Sequence, residues 1–202
     1  MLARRFTEHD DQPVEDKIVL LKGATWADYQ RHLEMRGDRA SPRLAYLEGV
    51  LEIMTPSLPH ESIKSVIGRL VEVWCLEKGI EFNPCGSWTL ENKEQQRGVE
   101  PDECYVFGEL KDATRPELAI EVVWTSGGLA KLDIYRKLAV REVWFWRRGR
   151  LTVHVLRDET YQEVPRSEVL PGIDLDALVS FLDRPTASRA IRDYRASLQS
   201  GG

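Results

Sequence analysis

The feature that most constrains the fold is a carboxylate inside a segment that otherwise has the composition of a buried strand. Leu118–Val123 (LAIEVV) is apolar and rich in β-branched residues apart from Glu121, and this pattern predicts a central β-strand. A buried carboxylate destabilises a fold unless a cation or a hydrogen-bond donor pairs with it. The chain must therefore bring a partner to Glu121.

A second acidic segment, Val99–Glu103 (VEPDE), leads into an apolar run, and we predict one strand over Val99–Phe107. If the two strands are neighbours, Asp102 and Glu121 point into one cavity, where their carboxylates repel each other and recruit a cation. Alternatively, Asp102 is a turn residue and Glu121 pairs with an arginine. Spacing alone leaves both interpretations open.

Composition limits the class of protein. The chain has 202 residues, of which 42% are hydrophobic and 30% charged, as expected for one globular domain. No apolar run approaches the roughly 20 residues of a membrane span, and no apolar signal core follows the first residues, so we predict a cytoplasmic protein without a membrane segment. The net charge of −5 argues against a protein that coats nucleic acid non-specifically, although it leaves room for a local basic groove.

The first half of the chain predicts a tail, two helices and several short strands. Residues 1–16 are polar and mixed in charge, which predicts a flexible tail before a single domain over residues 17–202. Thr25 is predicted to cap a helix that ends at Gly37, and Gly49 marks a tight hairpin between two strands. A longer helix follows over residues 60–78. Short strands are then predicted over residues 80–82 and 87–90, before an exposed loop over residues 91–98.

His60 and Lys131 each lie in the first turn of a predicted helix. A histidine at this position is most often a cap or a surface residue, but it can also orient a phosphate or a water. Gly127 and Gly128 permit a sharp turn from the Glu121 strand into a helix over residues 129–138. Lys131 opens that helix, where acids are favoured over cations. It is either a solvated lysine or an ammonium group aimed back at the carboxylates.

The last part of the chain predicts strands followed by helices. Residues 142–146 (EVWFW) predict an aromatic central strand, and an alternating strand over residues 151–156 follows a turn with three arginines. These arginines are either solvated or in contact with a phosphate backbone. An edge strand over residues 161–164 and helices over residues 175–182 and 187–198 complete the prediction.

Six motifs, taken together and in this order, are similar to those of a known family. They are Tyr46–Met54 (YLEGVLEIM), Pro59–Glu61 (PHE), Gly98–Cys104 (GVEPDEC), Ala119–Val123 (AIEVV), Thr125–Gly128 (TSGG) with Lys131, and Val140–Trp146 (VREVWFW). On these residues the chain resembles the Uma2 family, also called DUF820, of the PD-(D/E)XK, or restriction-endonuclease-like, nuclease superfamily. Each motif is weak alone, and the resemblance covers about residues 25–165.

The resemblance implies a fold and a set of site residues. The implied fold class is α/β (α+β), with a restriction-endonuclease-like core in which helices flank a mixed central β-sheet. Asp102 of the PD motif and Glu121 are implied metal ligands, together with the backbone carbonyl of Val122. Lys131 is the implied catalytic lysine. His60 is an implied accessory residue of the site, and Glu48 in the hairpin is a weaker candidate.

The resemblance also implies an activity. It is that of a Mg²⁺-dependent endonuclease, with Mn²⁺ as a possible substitute, that hydrolyses phosphodiester bonds of DNA and acts as a homodimer. One departure supports an alternative: Val123 stands where the superfamily normally has its lysine, two residues after the acid. The alternative is a nucleic-acid-binding or regulatory module with little or no catalysis. A third hypothesis is an interaction domain whose dimer face is the aromatic strand around Phe145.

Overall fold

Two β-sheets form the centre of the computed structural model, which describes residues 15–200. In spatial order, the five-stranded sheet A consists of β1 (Lys17–Lys22), β3 (Val50–Thr55), β2 (Arg43–Leu47), β6 (Arg97–Val99) and β5 (Leu90–Asn92). The six-stranded sheet B consists of β11 (Thr160–Val164), β10 (Arg150–Arg157), β9 (Glu142–Arg147), β8 (Leu118–Val122), β7 (Glu103–Phe107) and β4 (Phe82–Pro84).

Sheet B is the mixed central sheet that the sequence predicts. Strands β8 and β9 are parallel, with Glu121 beside Phe145, whereas the other neighbours in the sheet are antiparallel. All five residues of β8 are buried, as expected for a central strand with both faces covered. The predicted fold class, a mixed sheet flanked by helices, is confirmed.

Within residues 15–200, five helices cover the sheets. They are α1 (Trp26–Arg36), α2 (Leu58–Lys78), α3 (Lys131–Lys137), α4 (Leu175–Ser180) and α5 (Ala187–Ser200). The largest core cluster joins α2, α4 and α5 to one face of sheet B. A second cluster joins the other face of that sheet to α3 and to sheet A. Glu121, on the central strand of sheet B, therefore lies between these two core clusters.

The predicted hairpin and the first helix are confirmed. Thr25 caps α1 by accepting from the backbone N–H of Asp28, the Asp28 carboxylate accepts from the backbone N–H of Thr25 in return, and Gly37 ends the helix. In the hairpin, Glu48 and Gly49 both have positive φ angles, 46° and 82°, which is the geometry of a two-residue type I′ turn. The turn fixes the register of β2 against β3.

The strand predicted over Val99–Phe107 is wrong, because the segment crosses from one sheet to the other. Its beginning belongs to β6 of sheet A, whereas its end forms β7 of sheet B. Pro101 lies at the crossing and has no backbone N–H to offer a ladder. Asp102 is therefore a connector residue at the entry of β7 rather than a residue inside a strand.

Other boundaries differ from those predicted. Helix α2 begins two residues earlier, and α3 two residues later, than the patterns predict, while β4 and β5 lie two or three residues further along the chain. The predicted loop over residues 91–98 contains the ends of β5 and β6. Strand β1 was not predicted, because its exposed pattern KIVLLK does not alternate. Of the predicted tail, residues 1–14 lie outside the described residues.

The aromatic strand β9 cannot serve as the dimer face that one hypothesis required. Trp144 is 0% exposed and Trp146 is 2% exposed, and both belong to the core between sheet B and the helices. An indole that is already buried offers no surface to a partner. As for membranes, none of the helices within residues 15–200 is long and apolar enough to cross one.

Replacement of Glu72 or Glu77 of α2 by glutamine is expected to change the melting temperature in opposite directions. Burial raises the pKa of Glu72 above 4.5, so its ionisation opposes folding at neutral pH; this contribution disappears as the pH falls below 4.5. We expect Glu72→Gln to raise the melting temperature at pH 7 by about 1–2 °C, and to lose this gain in acid. The measurement is thermal unfolding followed by circular dichroism at several pH values.

The matched control is Glu77, which lies on the same helix. The hydrogen bonds from Arg195 and Gln199 hold the pKa of Glu77 below its usual value, so its ionised form supports folding above that range. Glu77→Gln is expected to lower the melting temperature at pH 7. A rise in both variants would contradict the assignment.

Candidate active site

A cleft of about 460 Å³ opens between the two sheets and the loop that precedes α3. Residues of β3, β8, β9 and β10 line it, and its charged members are Asp16, Glu52, Glu121, Lys131 and Arg147. A larger surface groove, of about 820 Å³, runs along β10 and α4 and contains none of the predicted site residues. The smaller cleft is therefore the candidate site.

Glu121 is buried at the wall of this cleft and has two partners from α3. Its side chain is on the sheet face that α3 covers, and the residue is 1% exposed. The Lys131 ammonium donates to Oε2 at 2.6 Å, and the Tyr135 hydroxyl donates to Oε1. Burial and the Glu121 charge raise the pKa of Tyr135 well above its usual value, so the phenol keeps its proton.

The contact between Lys131 and Glu121 decides between the two interpretations of that lysine. The ammonium group is aimed back at the carboxylate, and the side chain is only 14% exposed. Among the residues that the structure describes, the cation that pairs with Glu121 is this lysine and not the arginine predicted as the alternative. The ion pair joins the start of α3 to the middle of sheet B.

Asp102 is completely buried and is bound to β8 at Val122, the residue that follows Glu121. Its Oδ2 atom accepts a hydrogen bond from the backbone N–H of Val122 at 2.6 Å. Its Oδ1 atom forms an ion pair with Arg43 and lies 3.1 Å from Nε2 of His60. The structure thus brings Asp102 beside the Glu121 strand, but the carboxylate does not line the cleft.

His60 connects Asp102 to the beginning of the described chain. Its Nδ1 atom lies 3.0 Å from Oδ2 of Asp16, so each ring nitrogen faces a carboxylate and both donate when the ring is protonated. The other oxygen of Asp16 accepts from the backbone and the hydroxyl of Ser57, the N-cap of α2. Asp16 was predicted to end a flexible tail, but it is 7% exposed and holds His60 in place.

Opposing influences set the ionisation of Asp16. Burial alone would raise the pKa of this carboxyl, but the hydrogen bond and charge of His60 and the donors of Ser57 hold the pKa below its usual value. The backbone N–H of Asp16 also donates to Thr125 in the loop before α3, at 2.9 Å. Asp16 thus contacts both the N-cap of α2 and the loop that precedes α3.

Of the remaining predicted residues, Glu48 lies outside the site. Its side chain is 73% exposed at the hairpin turn and pairs with Arg97 at 2.7 Å. Val122 is buried at the position from which its N–H anchors Asp102. The structure therefore groups five of the six candidates around β8 and leaves the hairpin acid in solvent.

Sequence reasoning missed several groups that contact the acids. Tyr135 stands four residues after Lys131, on the same face of α3, and this spacing was a usable signal. Glu52 is an acid in the apolar alternation of the hairpin, which is also a detectable pattern. Arg43 and Asp16 lie far from their partners along the chain, and no local pattern indicates the contacts.

The chemistry of the two predicted metal ligands fits a hard divalent cation. Within residues 15–200, no group of three or more His, Cys, Asp or Glu side chains is arranged to hold a metal ion. Mg²⁺, however, keeps several waters and needs few protein oxygens. A neutral donor already orients each carboxylate: Val122 for Asp102 and Tyr135 for Glu121. The other oxygen of each carboxylate contacts a cationic side chain, Arg43 for Asp102 and Lys131 for Glu121. A bound metal ion would share these oxygens with the two cations.

A comparison with family models confirms the resemblance seen in the sequence. A family model described as "Uma2: Putative restriction endonuclease" matches residues 26–182, a span that includes every predicted site residue. Among solved structures, one match is described as "a putative nuclease belonging to DUF820 from Anabaena variabilis ATCC 29413". The identity is 12%, the TM-score is 0.43, and the match covers 80% of this chain and 96% of that one. A search of curated proteins finds no match.

Proposed function

The chain belongs to the Uma2 family, whose model is described as "Putative restriction endonuclease", and we propose that it is a Mg²⁺-dependent endonuclease that hydrolyses phosphodiester bonds of DNA. The family supports a nuclease-like function and a nucleic acid substrate. The observation that carries the proposal is the ion pair of Lys131 with Glu121 at the cleft wall, beside the Asp102 carboxylate anchored on Val122.

Asp102, Glu121 and the carbonyl of Val122 are the proposed ligands of Mg²⁺, for which Mn²⁺ is a possible substitute. Of the two acids, Glu121 lines the cleft, whereas Asp102 is buried beside Val122. When bound, the ion would polarise the phosphate and acidify a water molecule. The Tyr135 hydroxyl holds the Glu121 carboxylate toward α3, and the Val122 N–H holds the Asp102 carboxylate at β8. These contacts fix the acids before any ligand arrives, which lowers the cost of binding.

Lys131 has the position of a group that acts on the phosphate or on the attacking water. Its ammonium donates to Glu121, and the residue borders the cleft that would receive a phosphodiester. There it would stabilise negative charge that develops on the phosphate oxygens, or orient the water. This lysine thus takes over the task for which the superfamily uses the position of Val123.

We expect Lys131→Met to lower the rate of DNA cleavage by about 10²–10³-fold, because a preorganised charge is removed from the reacting group. Metal binding is expected to remain, since both carboxylates are kept. Plasmid nicking and titration calorimetry with Mn²⁺ measure the two properties. A variant that cleaves at the wild-type rate would make Lys131 a structural partner of Glu121 only.

Arg147 supports DNA as the substrate. The residue is exposed at the end of β9 and lines the cleft, and its guanidinium pairs with no carboxylate in the described part of the chain. An unpaired guanidinium beside a cleft is suited to a phosphate next to the scissile one. Arg148, its neighbour in the turn, is exposed but does not line the cleft.

We expect Arg147→Gln to weaken DNA binding and to lower the slope of log affinity against log salt by about 1, because one phosphate contact is lost. The measurement is fluorescence anisotropy with labelled DNA in EDTA, which excludes cleavage. Arg148→Gln removes the same charge from the same hairpin and is expected to change the slope less. Equal changes in both variants would indicate only a general charge effect.

A second candidate function is a nucleic-acid-binding module without catalysis. The observation that favours it is that protein cations already neutralise both acids, through Arg43 on Asp102 and Lys131 on Glu121. Such a site needs no metal to be stable. This candidate predicts DNA binding that is indifferent to divalent ions.

The test of the proposed function is incubation of the pure protein with supercoiled plasmid and with single-stranded DNA in Mg²⁺, Mn²⁺ or EDTA. Cleavage in the metal-containing reactions alone supports an endonuclease. DNA binding without cleavage under all three conditions supports the second candidate. Homodimerisation remains a prediction from the resemblance, and light scattering measures it.

A further inference from the structure

Glu52 on β3 is a buried acid whose role neither the motifs nor the proposed ligand set explains. The residue is 2% exposed and borders the cleft. The buried acids Glu100 and Glu121 each pair with a cation, whereas no basic side chain within residues 15–200 pairs with Glu52. A buried carboxylate needs compensating donors, so the donor that Glu52 does have is informative.

That donor belongs to the loop that leads to Lys131. Oε2 of Glu52 accepts a hydrogen bond from the backbone N–H of Leu129 at 2.6 Å. The N-cap of α3 is Ala130, which has no side chain to bond the free N–H groups of the helix start. Sheet A therefore supplies, through Glu52, a contact that fixes the loop two residues before Lys131.

Gly128 allows this contact to form. A Cβ atom on Gly128 would lie 2.5 Å from Oε2 of Glu52, which is far inside van der Waals contact. At position 127, the φ angle of +115° favours a glycine. The backbone at position 128 has no positive φ angle and therefore does not itself require one. The second glycine of the TSGG motif is thus explained by the close approach of the Glu52 carboxylate.

From these contacts we infer that Glu52 is a positioning residue for Lys131. Its carboxylate holds Leu129 against sheet A, and the following turn of α3 then places the ammonium on Glu121, which belongs to sheet B. Lys131 is thereby fixed by both sheets. The catalytic consequence rests on the proposed function, whereas the placement of the ammonium does not.

The direct test measures the position of Lys131 without DNA or metal. The folded protein is treated with a soluble amine-acylating reagent, and labelling of Lys131 is quantified by mass spectrometry. Glu52→Ala is expected to raise the labelling rate about tenfold, because a freed ammonium loses its charge-assisted hydrogen bond. Glu52→Gln retains an acceptor oxygen and is expected to stay close to the wild type.

Two further variants separate positioning from general stability. Gly128→Ala displaces the carboxylate without touching an acid, and it is expected to raise labelling of Lys131 as Glu52→Ala does, which keeps the test open if the latter fails to fold. Glu142→Gln alters a buried acid of β9 that accepts bonds from Ser167 and Trp144, away from the loop. It is expected to lower the melting temperature while leaving Lys131 labelling unchanged.

A double-variant comparison links the position to the reaction. If cleavage occurs, Glu52→Ala is expected to slow it, and adding Glu52→Ala to Lys131→Met is expected to have no further effect, since both act through one ammonium. Unchanged labelling in the folded Glu52 and Gly128 variants, or an equal rise in Glu142→Gln, would overturn the inference. Absence of cleavage in the wild type would overturn the proposed function and leave the labelling result standing.

Discussion

Glu121→Gln is expected to lower the rate of Mg²⁺-dependent DNA cleavage by about 10³-fold or more, the largest change in activity that this site predicts. The substitution keeps the size of the side chain and an acceptor for the Tyr135 hydroxyl, but it removes the negative charge. Without that charge, the cleft loses a proposed metal ligand and the ionic partner of Lys131. Initial rates of plasmid nicking measure the effect.

The control for this experiment is Glu48→Gln. Glu48 belongs to the motif that contributes to the family resemblance, but its side chain is 73% exposed and pairs with Arg97 outside the cleft. Its neutralisation is expected to leave the cleavage rate within about twofold of the wild type, since exposed ion pairs contribute little. Wild-type cleavage by folded Glu121→Gln protein would remove the acid from the mechanism.

Asp102→Ala is expected to destabilise the protein by about 3–5 kcal/mol, because it removes the fully buried carboxylate partner of Arg43 and leaves this guanidinium with only the partly exposed Glu61 carboxylate. The same substitution removes the acceptor for the Val122 N–H and the carboxylate that lies 3.1 Å from Nε2 of His60. The free energy of unfolding, measured by urea denaturation, reports the loss. Alanine is therefore a poor probe of catalysis at this position, and Asp102→Asn is the better one.

A double variant tests the cause of the loss. Removal of both members of a buried ion pair costs less than removal of one, because no charge is left uncompensated. Arg43→Met combined with Asp102→Ala is thus expected to recover part of the stability. A double variant as unstable as the sum of the two single variants would show that Arg43 and Asp102 do not act as a pair.

The sequence predicts the part of the site that depends on local pattern. The strand that contains Glu121 follows from its β-branched composition, and the location of Lys131 follows from the glycine turn after that strand. These features lie within ten residues of each other, so strand and helix periodicity were sufficient to place them. The contact of the two side chains then depends only on α3 folding back over β8.

Long-range partners could not be predicted in this way. Asp102 meets Arg43, and His60 meets Asp16, across 59 and 44 residues of chain respectively (102 − 43 and 60 − 16). Both contacts depend on how the two sheets face each other. The change of sheet at Pro101 was also hidden, because the acidic segment around it leads directly into an apolar run, and only the missing N–H signals a break.

The bonds of Asp16 have a practical consequence for work with shortened versions of the protein. A polypeptide that begins at Ile18 would keep every family motif, yet it would lack the side chain that joins Ser57 to His60 and the backbone N–H that reaches Thr125. Domain limits drawn from the matched family model alone would exclude Asp16, because that match begins at residue 26. If such a shortened protein is inactive, the cause can be the loss of the Asp16 contacts, and the result would not show that the full chain is inactive.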